Sequence, residues 1–213
     1  MTIKVEFYFD LSSPWTYLAF HNIQPIIAEA GAQIIWKPFL VGGVFNAVNQ
    51  SVYAAREDPD NRKFVHSFRV MKDWAALAGI EMNFPSEHHP VKSVLAMRAC
   101  CALEGDQAAL FKFATAAFEA YYGAQRNLDD PATLIAIANE IGMDGEELAA
   151  QTQEQRVKDR LRANTEEAIE RGAYGSPSIF VPYLDKDGKG EKMYFGNDQL
   201  PLIKRAIKLS GQS

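Results

Sequence analysis

Cysteine is almost missing from this sequence. Only Cys100 and Cys101 occur in 213 residues, and they are neighbours. Adjacent residues meet the usual disulfide geometry poorly, so no disulfide framework is expected. Small buried helix residues in a reducing, cytoplasmic setting are the expectation instead. An excess of positive charge is missing too. The net charge of −5 argues against a nucleic-acid-binding face, which needs a basic surface. No run approaches the ~20 apolar residues of a membrane span, so no membrane partner is expected. A secretory signal is not expected, because Lys4 and Glu6 break the apolar start. The four histidines, His21, His66, His88 and His89, lack metal-ligand spacing with cysteine or acid partners, so no metal site is expected. His88 and His89 read as a solvated loop. No G-x-S-x-G surrounds any serine, which leaves a Ser-His-Asp hydrolase without support. Internal repeats and low-complexity segments are absent as well.

What remains is an ordinary globular composition, 47% hydrophobic and 23% charged. Ile3, Val5, Phe7 and Phe9 alternate with Lys4, Glu6 and Tyr8, the pattern of a strand. Ser13 suits an N-cap and Pro14 a first helical position, so a helix is expected from there. It should run past Pro25 with a kink and stop near Gly31. Gln33 to Lys37 reads as a second strand stopped by Pro38, which completes a β-α-β unit with a parallel pair. Residues 62 to 172 then show almost only helical pattern. Asp130-Pro131 opens one of those helices, and Asp144 with Glu147 and Thr152 with Gln155 read as capping boxes. The acidic clusters Glu146-Glu147 and Glu166-Glu167 read as solvated helix faces. Strand character returns at Ser178 to Val181 and at Lys192 to Phe195, with Asp187-Gly188 as the turn of a hairpin. Leu200 to Leu209 is a closing helix. The fold class is therefore α/β, with two sheet halves, residues 1–60 and 173–213, split by an all-helical insertion at 61–172.

The polar candidates sit at the joints of this pattern. A C-x-x-C at a strand-to-helix junction would be a redox centre. Here Ser13-Pro14-Trp15-Thr16 carries hydroxyls at both positions, so no disulfide can form. One polar hydrogen at the positive end of a helix still favours an anion. Taken alone, Ser13 is also a plain N-cap. Gly175-Ser176-Pro177 precedes a strand, where an ordinary trans loop proline and a purposeful cis proline both remain open. Gly196-Asn197-Asp198 lies between a strand and the last helix, where a simple turn and a binding loop both fit. Trp15, Trp36 and Trp74 read as core or cleft-wall residues.

These segments together resemble a known family. Phe7-Tyr8-Phe9-Asp10, Ser13-Pro14, Tyr17-Leu18-Ala19, Gly42-Gly43-Val44-Phe45, Lys63, Trp74-Ala75, Gly175-Ser176-Pro177 and Phe195-Gly196-Asn197-Asp198 stand in the order found in the 2-hydroxychromene-2-carboxylate isomerases. Those are DsbA-like proteins related to kappa-class glutathione transferases. The resemblance covers essentially the whole chain. It implies a thioredoxin-like fold with a helical insertion, glutathione as cofactor, a small aromatic-derived substrate and a homodimer. By it, Ser13 meets the glutathione sulfur and the backbone of Ser176, before a cis Pro177, pairs with the cysteinyl unit. Asn197 and Asp198 hold the γ-glutamyl end, Lys63 contacts the glycine carboxylate, and Asn49 lies near that same end. Trp15 and Asn46 are substrate-side candidates.

The chain departs from the family at several positions, and the glutathione half of the pattern is better kept than the substrate half. Asn46 stands where the family commonly has a lysine, His66 where a tyrosine is usual, Lys92 where asparagine is more frequent, and Gln199 where an arginine usually follows the Asn-Asp pair. Lys92 and Arg98 are candidate replacements for the missing cation. The expected function is glutathione-dependent isomerisation of 2-hydroxychromene-2-carboxylate or a similar intermediate of aromatic degradation. In the scheme that the resemblance implies, thiolate adds to a conjugated carbon, the ring opens, a single bond rotates, and thiolate leaves to give the trans alkene. A kappa-like transferase and a non-catalytic thioredoxin-like binding protein are the alternatives.

Overall fold

The computed structural model describes residues 2–53, 61–182 and 190–211. The chain opens with β1 (Lys4–Phe9), α1 (Pro14–Ala30), β2 (Gln33–Pro38) and α2 (Val41–Val48). A helical block follows: α3 (Arg62–Ala78), α4 (Val94–Ala102), α5 (Gln107–Phe118), α6 (Pro131–Glu140), α7 (Gly145–Gln151) and α8 (Gln155–Glu170). The chain closes with β3 (Ser178–Pro182), β4 (Glu191–Phe195) and α9 (Leu200–Ser210). The expected turn at Asp187-Gly188 lies outside the described residues.

The strands form one sheet in the order β2-β1-β3-β4. β1 runs parallel to β2, with Val5 opposite Ile34 and Phe7 opposite Trp36. β3 is antiparallel to both β1 and β4. A parallel pair needs a crossover, which α1 supplies. Alternation along β1 feeds both faces. Val5, Phe7 and Phe9 meet Phe20, Trp36 and Phe118 on one side. Tyr8 meets Phe39 and Phe180 on the other. The first of these clusters also takes in Met97, Phe113, Ala117, Leu134 and Leu161, so the sheet and the helical block share one core.

Local chemistry sets the helix ends. Ser13 caps α1 by accepting from Thr16 N, and Gly31 ends it in the left-handed region at φ 60. α1 runs through Pro25. Asp130 and Asp144 cap α6 and α7 through their carboxylates. The Thr152–Gln155 box does not form. Thr152 ends α7 and its hydroxyl donates back to Ala149 O, while Glu154 takes the N-cap of α8. A hydroxyl can bond a carbonyl one turn back as readily as it caps the next helix. α5 passes directly into a wide π-helical turn, Glu119–Gly123. That turn buries the neighbouring Tyr121 and Tyr122 together.

Candidate active site

The end of β1 and the start of α1 meet the loop before β3. The Ser176-Pro177 peptide in that loop is cis. Ser13 Oγ donates to the Ser176 carbonyl at 3.0 Å, across 163 positions of sequence, while accepting from Thr16 N. Ser176 Oγ in turn accepts from Asp10 N at 3.0 Å and lies 2.7 Å from Thr16 Oγ1. Both positions of the S-x-x-T motif thus grip the same loop residue. Ser13 takes its backbone and Thr16 its side chain. The Ser176 N–H has no acceptor among the described residues. A loop that presents one free donor and one exchangeable acceptor is an edge on which an extended peptide can pair.

Ser13 and Ser176 line a cleft of about 360 Å³. Trp15, Val41, Phe45 and Asn49 form one part of its wall, and Phe64, Phe68, Met71 and Phe84 of the helical block form another. Tyr174, Gly175 and Phe195 close it below. Gly175 must lack a side chain there, because a Cβ would come within 2.6 Å of the Phe195 ring. The cleft is largely apolar and aromatic; Ser12, Ser13 and Ser176 gather at the α1 N-terminus, and Asn49, Ser67 and His89 are its other polar lining residues.

The candidates read from sequence divide into three sets. Ser13, Trp15, Asn49 and Ser176 line the cleft. Asn49 donates its amide to Tyr174 O at 3.0 Å, which ties α2 to the loop. Pro177, Asn197 and Asp198 do not line the cleft. Gly196 N donates to Pro177 O at 3.3 Å, so the two loops are joined. Asn197 is buried; its Oδ1 accepts from Asn22, and its Nδ2 finds no partner among the described residues. Asp198 is exposed. Lys63 and Asn46 are also exposed and do not line the cleft, and Asn46 Oδ1 accepts from Tyr53 OH at 2.8 Å.

Several neighbours escaped the sequence reading. His89, expected in a solvated loop, is half-buried, packs edge-on against Phe84 at 4.7 Å, and lines the cleft. The aromatic residue on either side of the intervening Pro85–His88 segment carried no local signal for this. Asp10 is fully buried beside Ser12; its carboxylate accepts from Ser12 N, Ser12 Oγ and Val41 N, each at 2.9 Å. Burial pushes its pKa up against the pull of those donors. Its place at the end of a hydrophobic strand was the available clue. Cys100 and Cys101 are free and buried, and desolvation pushes both thiols up, away from reactivity.

The chain matches the DSBA-like thioredoxin domain over residues 4–208. It belongs to that family. A 2-hydroxychromene-2-carboxylate isomerase of Sphingobium xenophagum is 27% identical over 207 residues, covering 95% of this chain and 97% of the relative. A glutathione S-transferase kappa 2 of Caenorhabditis elegans is 25% identical over 205 residues, covering 93% and 89%. A solved 2-hydroxychromene-2-carboxylate isomerase superposes with a TM-score of 0.74 at 23% identity, over 96% of this chain and 94% of that one. The DsbA-like thioredoxin fold is thus established, and its named relatives are isomerases and glutathione transferases.

Proposed function

We propose that this protein is a glutathione-dependent isomerase acting on 2-hydroxychromene-2-carboxylate or a similar small acid from aromatic degradation. One observation carries the reading: the hydroxyl of Ser13, at the N-terminus of α1, faces the Ser176 carbonyl at 3.0 Å in a cleft with no thiol of its own. A site of this kind holds a borrowed sulfur. When bound, glutathione supplies a thiolate that adds reversibly to a conjugated carbon and so makes a stiff double bond rotatable.

The residues present fit that group. The Ser176 N–H has no acceptor among the described residues, and an extended peptide ligand would satisfy it. An incoming N–H that takes the Ser176 carbonyl would release the Ser13 hydroxyl to turn toward sulfur, so the native bond keeps Ser13 in place until then. Ser13 orients the thiolate and does not itself attack. Asn49, Ser176, Pro177 and Asn197 would form the peptide-holding wall, with Lys63 and Asp198 reaching in from the rim toward the glycine carboxylate and the ammonium group. Trp15 would face the acceptor, and Asn46 would stand at the rim on the acceptor side. The domain division at residues 60/61 and 172/173, a cytoplasmic setting and a homodimer belong to the same reading. The buried free thiols agree with a reducing compartment.

A kappa-like transferase is the second reading, favoured by the transferase relative of nearly equal identity. Glutathione-dependent turnover with mass analysis of the products separates the two. An isomerase returns glutathione unchanged; a transferase consumes it. No glutathione-dependent turnover of either kind would leave a thioredoxin-like binding protein.

A further inference from the structure

A second recess, of about 300 Å³, adjoins the cleft and shares Ser12, Val41, Phe45 and His89 with it. We propose that this recess is where the substrate's carboxylate docks, held by Lys92. The proposal rests on the reading of the Ser13 cleft as a thiol site, and it names where the ligand that meets the thiol is held.

Charge, donors and shape agree. Lys92 is exposed at the recess and makes no ion pair or hydrogen bond among the described residues. Among the described residues, the only carboxylate lining the recess is Asp10, and its oxygens are already spent on Ser12 and Val41, with the Ser93 hydroxyl beside them. An incoming anion therefore meets a cation without a partner among the described residues and a carboxylate whose lone pairs face protein donors. Gly42 and Gly43, in the first turn of α2, also line the recess, and their N–H groups have no acceptor among the described residues. A Cβ at Gly42 would meet nothing within 4 Å, so the backbone lies open. Phe45, set edge-on to Tyr53 at 6.3 Å, gives a flat apolar side. Because Ser12 belongs to both spaces, a molecule anchored at Lys92 reaches toward the cleft that holds Ser13.

The test uses trans-cinnamate as a flat unsaturated acid and cinnamamide as its uncharged twin. Both are titrated calorimetrically into wild type and Lys92→Met, with glutathione titrated separately. Cinnamate should bind wild type about tenfold more tightly than Lys92→Met, the size of a lost charge-assisted hydrogen bond. Cinnamamide should bind the two proteins alike. Gly42→Val, which puts a side chain into the open space, should weaken both probes. Equal cinnamate affinity in wild type and Lys92→Met, or no cinnamate binding to wild type, overturns the proposal. Lys92-dependent cinnamate binding without any glutathione binding would keep the recess and remove the thiol reading of the cleft. Glutathione binding with cinnamate indifferent to Lys92 would do the reverse.

Discussion

The floor of the cleft and its rim are built in different ways. At the floor, Asp10, Thr16 and Ser176 are buried and joined by hydrogen bonds that span 160 positions or more. At the rim, Asn46, Lys63, Lys92 and Asp198 are exposed side chains on separate segments. The floor would hold the sulfur, and moving any member of it disturbs the fold. At the rim, Lys63 and Asp198 would hold the two ends of glutathione while Asn46 and Lys92 would choose what meets the sulfur, and an exposed side chain can be exchanged at small cost to stability. One fold can therefore keep its thiol chemistry while its substrate drifts, and the departures from the isomerase pattern at Asn46, His66 and Lys92 fall where exchange is cheap.

The strongest way to break this comparison is Ser13→Ala. A free thiol has a pKa of ~8.5, so only a few per cent is ionised near neutrality. Lowering it by about two units needs ~2.7 kcal/mol of preferential thiolate binding. The α1 N-terminus can give up to ~2 kcal/mol in a partly buried site, and a hydrogen bond to a charged sulfur roughly 1.5–3 kcal/mol. The variant keeps the first and loses the second. Turnover near neutral pH should fall by about 10- to 100-fold. Glutathione affinity should fall less. Ultraviolet thiolate absorbance of bound glutathione against pH reads the shift directly, and identical titrations in the two proteins would reduce Ser13 to a helix cap.

Thr16→Val comes next. It keeps the shape but removes one of the two hydroxyls in the 2.7 Å contact with Ser176. A buried hydroxyl left without that partner costs about 1–3 kcal/mol, which urea unfolding should show as a lower midpoint at unchanged slope. Turnover should suffer less than in Ser13→Ala, because Thr16 acts only by holding the loop. An unchanged midpoint would mean that the floor is not the rigid half of the pair.

These two residues also show how far the sequence could be read. Ser13-Pro14 was legible because capping is local: the side chain bonds its own helix three residues on. The strands and most helix ends were legible for the same reason. The Thr16–Ser176 contact was not, since nothing near either residue announces a partner 160 positions away. Thr152 misled because one hydroxyl can end a helix or begin another. His89 misled because a polar residue between short turns usually faces water, whereas here Phe84 covers it. The recess at Lys92 is assembled from β1, α2 and the segment before α4, and no single one of them shows it.

Asp10 allows a subtler comparison, through pH. Its folded-state pKa lies above the ordinary 3.8 because burial outweighs its donors. Between the unfolded and folded values the native state binds more proton than the unfolded chain, so stability contributed here falls as pH rises. Above the folded value the whole penalty is present. Asp10→Asn cannot titrate. The melting temperature of wild type minus that of Asp10→Asn should therefore decline as pH is raised from about 4 toward neutrality. A difference that is flat, or that grows with pH, would show that the donors from Ser12 and Val41 outweigh burial.

The smallest effect is expected at the rim, from Asn46→Lys. The isomerase pattern places a lysine here, whereas Asn46 accepts from Tyr53, which lines the Lys92 recess. A lysine at 46 would thus reach over Tyr53 toward the recess that Lys92 lines. An exposed ion pair is worth roughly 0.2–1 kcal/mol, so turnover of 2-hydroxychromene-2-carboxylate should rise by no more than about fivefold. In the Lys92→Met background the same substitution should restore more than it adds to wild type, because the two cations would do one job. Steady-state kinetics on the four proteins of this cycle measure the coupling between them. Strictly additive effects would separate the two cations and leave Lys92 outside the acceptor site. A large gain in the wild-type background would say that the rim has lost its cation and not merely moved it.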